Sequence, residues 1–283
     1  MEIARHGTGP AAALRALASQ IHPVFMLPPL AASAFGAVLA GGFDLGLALL
    51  HMGSAFCALY TAHVKDGYVD FYVRDEDDDH PLTAVGCRLA LAGATALFFL
   101  VLGALWWLVG LGAAAITLPG WLIGYLHAPQ LDMNPVTATT GYPLGIAVVL
   151  VGGHYVQAES LSPVVLAFAA VFVVILSGIK VVDDAKDYEY DRSISKRTVA
   201  VVLGRRRART TAYLLMATGL LAVVAFAVAA VFPPSSVLAA VAFAAVAAVA
   251  RRADDRLATM LLIRGSYVFL ALLVVAVWFE PLA

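Results

Sequence analysis

The stretch "KVVDDAKDYEYDR", Lys180 to Arg192, follows an almost wholly apolar run from Leu161 to Ile179. Five acids crowd into the nine residues Asp183 to Asp191. An apolar run of this length reads as a membrane helix, and the acids then stand at its mouth. Asp183, Asp187 and Asp191 are spaced i, i+4, i+8. Each step of four turns a helix by only about 40°, so all three carboxylates are expected on one face. Asp184 and Glu189 point elsewhere in that register. Like charges at this spacing repel. Such a ladder makes chemical sense when a cation sits among the carboxylates. Hard oxygen ligands suit Mg²⁺, which takes one or two carboxylates and completes its shell with water and phosphate oxygens.

The rest of the chain supports a membrane setting. Of 283 residues, 62% are hydrophobic and only 13% charged, against about 25% charged in a soluble domain. A soluble surface this apolar would be one large sticky patch. Nine apolar segments are expected as spans: 22–42, 44–66, 85–108, 110–128, 143–158, 162–182, 209–231, 235–250 and 257–279. The expected architecture is all-α, nine transmembrane helices in one domain over 1–283. Residues 1–21 form an N-terminal interfacial segment and 22–279 the bundle, with 9–20 as an amphipathic helix. Pro28-Pro29 is expected to kink the first span.

With nine spans, the eighteen Lys and Arg residues all fall on one face or at its boundary. The opposite loops and the C-terminus carry only Asp44, Glu159 and Glu280. The positive-inside rule then puts the N-terminus in the cytoplasm of a multi-pass cell-membrane protein, with the acid clusters facing the cytoplasm. "RRRAR", Arg205 to Arg209, reads as a topology signal and headgroup contact. The net charge of −1 offers no basic surface for nucleic acid. Cys57 and Cys87 have no metal-ligand spacing and read as small buried hydrophobes. No cleaved signal peptide is expected.

A second, shorter ladder stands at the end of the second span: Asp66 and Asp70, followed by Arg74 and the acidic run "DEDDDH", Asp75 to His80. The two ladders suggest one site. Asp66, Asp70, Asp183 and Asp187 are the expected metal ligands. Asp191 would bind metal through water or orient Lys196. Lys65, Arg74, Arg88, Lys186, Lys196 and Arg197 are placed to take the remaining oxygens of a substrate diphosphate. The apolar bundle would hold a long hydrocarbon tail. Asp75 to Asp79 read as a solvated acidic loop, and the histidines show no ligand spacing.

These residues resemble the UbiA superfamily of intramembrane prenyltransferases. "DDAKDYEYDRSISKRTVAVVLG", Asp183 to Gly204, matches that family's D-x-x-x-D-x-x-x-D and the K-R-T-x-A-V-x-x-G that follows it. "IGYLHAPQ", Ile123 to Gln130, is similar to its fourth-span segment. "GGHYVQAESLSP", Gly152 to Pro163, looks like the menaquinone-branch members, which prenylate dihydroxynaphthoate. Asp66 stands where the family's first motif has Asn, and "GYPLGIAV" (141–148) lacks a family glutamate. The resemblance implies a central cavity, Mg²⁺ and a prenyl diphosphate donor. It further implies polyprenyl transfer to a lipophilic acceptor, an aromatic quinone precursor ahead of a glycerol-based lipid or carotenoid. Tyr68, Tyr125 and Tyr188 are candidates for stabilising an allylic cation.

Three rivals use the same features. "DDAKD" fits the D-D-x-x-D of soluble isoprenoid synthases, but nine apolar segments do not. "DGYVDF" shares D-G with phosphatidyltransferases but lacks their A-R and distal acids. A non-enzymatic divalent-cation transporter would carry its acids near the membrane midplane. Here they gather at one face.

Overall fold

The computed structural model describes residues 2–282, so Met1 and Ala283, the ends of the expected domain, lie outside it. Among the described residues there are twelve α-helices and no β-strand. They are α1 (Gly9–Ala18), α2 (Pro23–Val38), α3 (Leu45–Tyr72), α4 (Ala84–Leu108), α5 (Leu111–Leu126), α6 (Pro135–Ala158), α7 (Pro163–Lys186), α8 (Tyr188–Ser193), α9 (Val199–Leu203), α10 (Arg205–Val228), α11 (Ser236–Ala250) and α12 (Asp255–Phe279). One widened turn, His127–Leu131, continues α5.

The starts of the long helices are written locally. Asp44, Thr83, Asn134, Ser162 and Asp254 each sit just before a helix and accept a backbone N–H with their side-chain oxygen. This satisfies donors that the first turn would otherwise leave bare. Pro135 and Pro163 follow two of these caps, where a missing N–H costs nothing.

Seven helices, α3, α4, α5 with its widened turn, α6, α7, α10 and α12, are long and apolar enough to cross a membrane. The chain is a multi-pass membrane protein. All nine expected segments are helical, but two are short. α11 has 15 residues, about 22 Å against a hydrocarbon core of about 30 Å. α2 has 16 and meets α1 at 65°. The Gly41-Gly42 and Pro233-Pro234 breaks trim them. The fifth expected span begins earlier than its apolar run, at Pro135. α3 continues to Tyr72, which carries Asp66 and Asp70 into its last turns. α2 runs unbroken through Pro28 and Pro29; the bend lies before it, at residues 19–22.

α2, α3, α5, α6, α7 and α12 form a ring, with α2 and α6 also packed on each other across it, while α4, α10 and α11 pack outside α3, α7 and α12. Small residues allow the closest approaches. A Cβ on Gly36 would meet the Leu150 carbonyl, and one on Gly153 the Ser33 carbonyl, so α2 and α6 touch backbone to backbone. Gly153→Val is therefore expected to lower stability by about 1–3 kcal/mol, read as a drop in the thermal unfolding midpoint in detergent.

Candidate active site

The ring encloses a cavity of about 700 Å³. Its walls are apolar: Phe25, Pro28 and Pro29 from α2, Ala55, Ala58 and Leu59 from α3, Ile123, Ile146, Val149 and Ile179 from the facing helices. At one end they give way to Asp66 and Asp70 of α3, Lys180 and Asp183 of α7, and Asp77 and Asp79 of the loop after α3. An apolar space with a charged mouth is what a lipid diphosphate requires.

Carboxylates outnumber cations at this mouth. Asp66 makes no ion pair or hydrogen bond among the described residues. Asp70 receives Arg74 at 3.2 Å, and the same guanidinium reaches Asp132 at 2.7 Å. Asp183 lies between Lys180 at 3.3 Å and Lys186 at 3.1 Å. Lys180 is also 2.5 Å from Asp184, which is only 5% exposed and has one oxygen without a partner.

The acidic ladder after α7 is not one helical face. α7 stops at Lys186, because Asp187 adopts φ −97°, ψ 16° and its N–H bonds back only to Asp184 O. The chain restarts as α8 and turns again at Ser195, which has positive φ. Asp183 therefore faces the cavity, Asp187 stays exposed beside Lys186 at 3.5 Å, and Asp191 is buried under Lys196, also at 3.5 Å. Burial raises the Asp191 carboxyl above its ordinary range, and Lys196 opposes that shift. Burial, then the neighbouring Glu76, pushes the Tyr190 hydroxyl up to about 12. Asp191 thus ties α8 to its following loop rather than facing the cavity.

The basic candidates divide. Lys186 and Arg74 stand behind the mouth, each paired with one of its carboxylates. Lys65 turns to Tyr125: its ammonium donates to the Tyr125 carbonyl and to Gln130 Oε1 at 3.0 Å, and lies 4.2 Å over the Tyr125 ring. Arg88 is exposed on α4 and does not line the cavity, because α4 packs outside the ring. Arg197 is exposed beyond Lys196.

The three tyrosine candidates do not line the cavity either. Tyr68, two residues past Asp66, faces away and packs with the cluster around Val64 and Leu82. Tyr125 stacks on Trp121, and Tyr188 lies under Arg205, 5.1 Å from its ring. The lining tyrosines are Tyr142 and Tyr267, whose hydroxyls donate to Phe25 O and Val24 O. The sequence reading missed them, and also Lys180 and Asp132. Lys180 had a local signal, standing three and four residues before Asp183 and Asp184. Asp132 had none.

Residues 2–6 hold the acidic loop in place. Arg5 N bonds Pro81 O at 2.9 Å, Thr83 N bonds Ile3 O at 2.9 Å, and His6 meets Asp79 at 2.8 Å. Asp75 to Asp79 remain solvent-exposed, yet Asp77 and Asp79 border the mouth. At the far end, Gln157 exchanges hydrogen bonds with the Asp44 backbone. Asp44 starts α3, about 33 Å along the helix from Asp66. The Tyr155–Gln157 segment therefore packs the opposite end and does not reach the charged mouth.

Mg²⁺ fits this donor set. The free ligands are hard carboxylate oxygens, and their charge exceeds that of the cations facing them. Among the described residues, no three acidic, His or Cys side chains converge on one point. A metal that takes one or two carboxylates and fills its shell with water and phosphate does not need three.

The UbiA prenyltransferase family model matches residues 25–273. No curated protein sequence matches the chain. Among solved structures, a digeranylgeranylglyceryl phosphate synthase superposes with TM-score 0.73 at 14% identity, covering 94% of this chain and 99% of that one. The apo UbiA homologue from Aeropyrum pernix K1 gives 0.72 at 15%, covering 90% and 98%. The Archaeoglobus fulgidus UbiA homologue bound to DMAPP and Mg²⁺ gives 0.64 at 17%, covering 94% and 99%. At these identities the likeness speaks for the fold, and the family match over most of the chain carries the assignment: this membrane protein belongs to the UbiA prenyltransferase family.

Proposed function

We propose that the chain transfers a polyprenyl group from a prenyl diphosphate to a lipophilic acceptor, an aromatic quinone precursor, with release of pyrophosphate. The observation that carries this reading is the cavity itself, an apolar channel ending at Asp66, Asp70, Asp183 and Lys180. Asp66 and Asp70 are the carboxylates that would hold Mg²⁺. Asp183 would join them once its lysines turn to phosphate, and exposed Asp187 lies within reach of Lys186. The fold neighbour from Archaeoglobus fulgidus with DMAPP and Mg²⁺ supports this assignment. Bound metal supplies charge to neutralise the departing pyrophosphate.

The protein's own residues do the rest. Lys180 and Lys186 flank Asp183 and give their ammonium donors to phosphate oxygens. Arg74, held between Asp70 and Asp132, fixes the Asp70 carboxylate. The apolar walls exclude water from the allylic carbon. Tyr142 and Tyr267, pinned through their hydroxyls, offer ring faces to a developing allylic cation, worth about 0.5–2 kcal/mol. His22, His63 and Phe25 form an aromatic wall, with His63 4.9 Å from His22 and 6.3 Å from Phe25. Such a wall suits a planar acceptor. In this reading the chain forms one domain with its N-terminus and charged mouth on the cytoplasmic side of the cell membrane, and the bias of Lys and Arg toward one set of loops supports it.

A second reading, prenyl transfer to a glycerol-based lipid, is favoured by the fold match to digeranylgeranylglyceryl phosphate synthase. Purified protein with Mg²⁺ and labelled geranylgeranyl diphosphate decides between them. Label entering 1,4-dihydroxy-2-naphthoate or 4-hydroxybenzoate supports the first reading. Label entering geranylgeranylglyceryl phosphate alone overturns it in favour of the second.

A further inference from the structure

We infer that His63 is the group that takes the proton released by the acceptor, with His22 leading that proton out of the cavity. The inference rests on the prenyl-transfer reading above and names a role in it for residues outside the acid ladders.

His63 sits on α3 three residues before Asp66, so its side chain shares the cavity-facing stripe with that carboxylate. Its Nδ1 lies 3.3 Å from the backbone carbonyl of Gln20. A carbonyl can only accept, so Nδ1 carries the hydrogen and the neutral ring keeps its lone pair on Nε2. Nε2 makes no hydrogen bond among the described residues, and it is not among the buried atoms left without a partner. An accessible, unprotonated imidazole nitrogen thus borders the cavity beside the charged mouth. His127 also lines the cavity, but no hydrogen bond among the described residues fixes its tautomer. The His22 ring lies edge-on to His63, centroids 4.9 Å apart, at the break between α1 and α2, where it is exposed. Proton acceptor and exit are adjacent.

The chemistry needs such a group. The allylic C–O bond breaks and its electron pair leaves with pyrophosphate. The nucleophilic atom of the acceptor bonds the allylic carbon and must then lose the hydrogen it carried. That proton passes to His63 Nε2, and no oxidant or reductant is involved. Asp66, Asp70 and Asp183 are assigned to metal and cations, and Asp77 and Asp79 lie on the exposed loop at the rim, so His63 is the base beside the aromatic wall.

The test compares wild type with His63→Gln and His63→Ala. Label transfer from geranylgeranyl diphosphate to 4-hydroxybenzoate, whose attacked ring carbon carries a hydrogen, is the activity readout. Stabilisation by geranylgeranyl thiodiphosphate with Mg²⁺, read as a rise in unfolding temperature, reports fold and donor binding. The inference expects transfer to fall about 100-fold or more in both variants, donor stabilisation to be kept, and added imidazole to restore transfer in His63→Ala. Transfer within threefold of wild type in His63→Gln overturns it. So does loss of donor stabilisation in both variants, which makes His63 structural. A wild type that prenylates no acceptor overturns the underlying reading instead.

Discussion

Asp66→Ala and Asp70→Asn are each expected to lower turnover by roughly 10²–10³-fold while leaving the unfolding midpoint close to wild type. Alanine is the probe at 66, where the family's motif carries Asn and a carboxamide would keep an oxygen ligand; at 70 the carboxamide keeps the shape and loses the charge. Several kcal/mol of transition-state stabilisation come from a metal held against the leaving group, and each 1.36 kcal/mol is about tenfold in rate. Asp66 is the cleaner probe, because no cation among the described residues pairs with it. In Asp70→Asn, Arg74 retains Asp132 at 2.7 Å, so the local structure should survive. Asp187→Asn should cost less, since that side chain is 53% exposed and, among the described residues, pairs with Lys186 alone. The measurement is the rate of pyrophosphate release at saturating Mg²⁺. Asp66→Ala within threefold of wild type would remove Asp66 from the metal site.

Lys180→Met should be the most destabilising single change at the mouth. Lys180 bridges Asp183 and Asp184. Asp184 is 5% exposed, and its second oxygen already lacks a partner. Removing the ammonium leaves a buried carboxylate uncompensated, a loss of about 3–5 kcal/mol. Denaturant or thermal unfolding in detergent would show it. Adding Asp184→Asn to Lys180→Met removes the stranded charge and should recover most of the stability. If the double variant is no more stable than Lys180→Met, the penalty does not come from Asp184. Activity is expected to stay low in both, because Lys180 is proposed above to serve the phosphate.

The helices were legible because apolar length and capping residues are local signals. Asp44, Thr83 and Asp254 mark starts that the structure uses. The ends were less legible. α3 outruns its apolar stretch to Tyr72, since an amphipathic last turn is stabilised by the loop packed on it, which hydropathy does not register. Asp66, Asp70 and Asp183 could be named from spacing. Their partners could not, because Arg74–Asp132 joins residues far apart in sequence. The ladder of Asp183, Asp187 and Asp191 was drawn on an ideal helix, and the non-helical Asp187 turns itself and Asp191 off the face that Asp183 keeps. Tyrosine choice failed for a related reason. Nearness to an acid in sequence placed Tyr68 and Tyr188, whereas the ring of helices brings Tyr142 and Tyr267 inward.

The central claim is that a prenyl diphosphate docks with its head at Asp66, Asp70 and Asp183 and its tail in the cavity, and there gives up its prenyl group. Detergent-solubilised protein should be incubated with labelled geranylgeranyl diphosphate, Mg²⁺ and a membrane lipid extract from the source cells. The account predicts a labelled lipid product and matching pyrophosphate release, both lost on chelation and both lowered in Asp66→Ala. Equal product with and without chelator, or no product and no thermal stabilisation by the diphosphate, would contradict it.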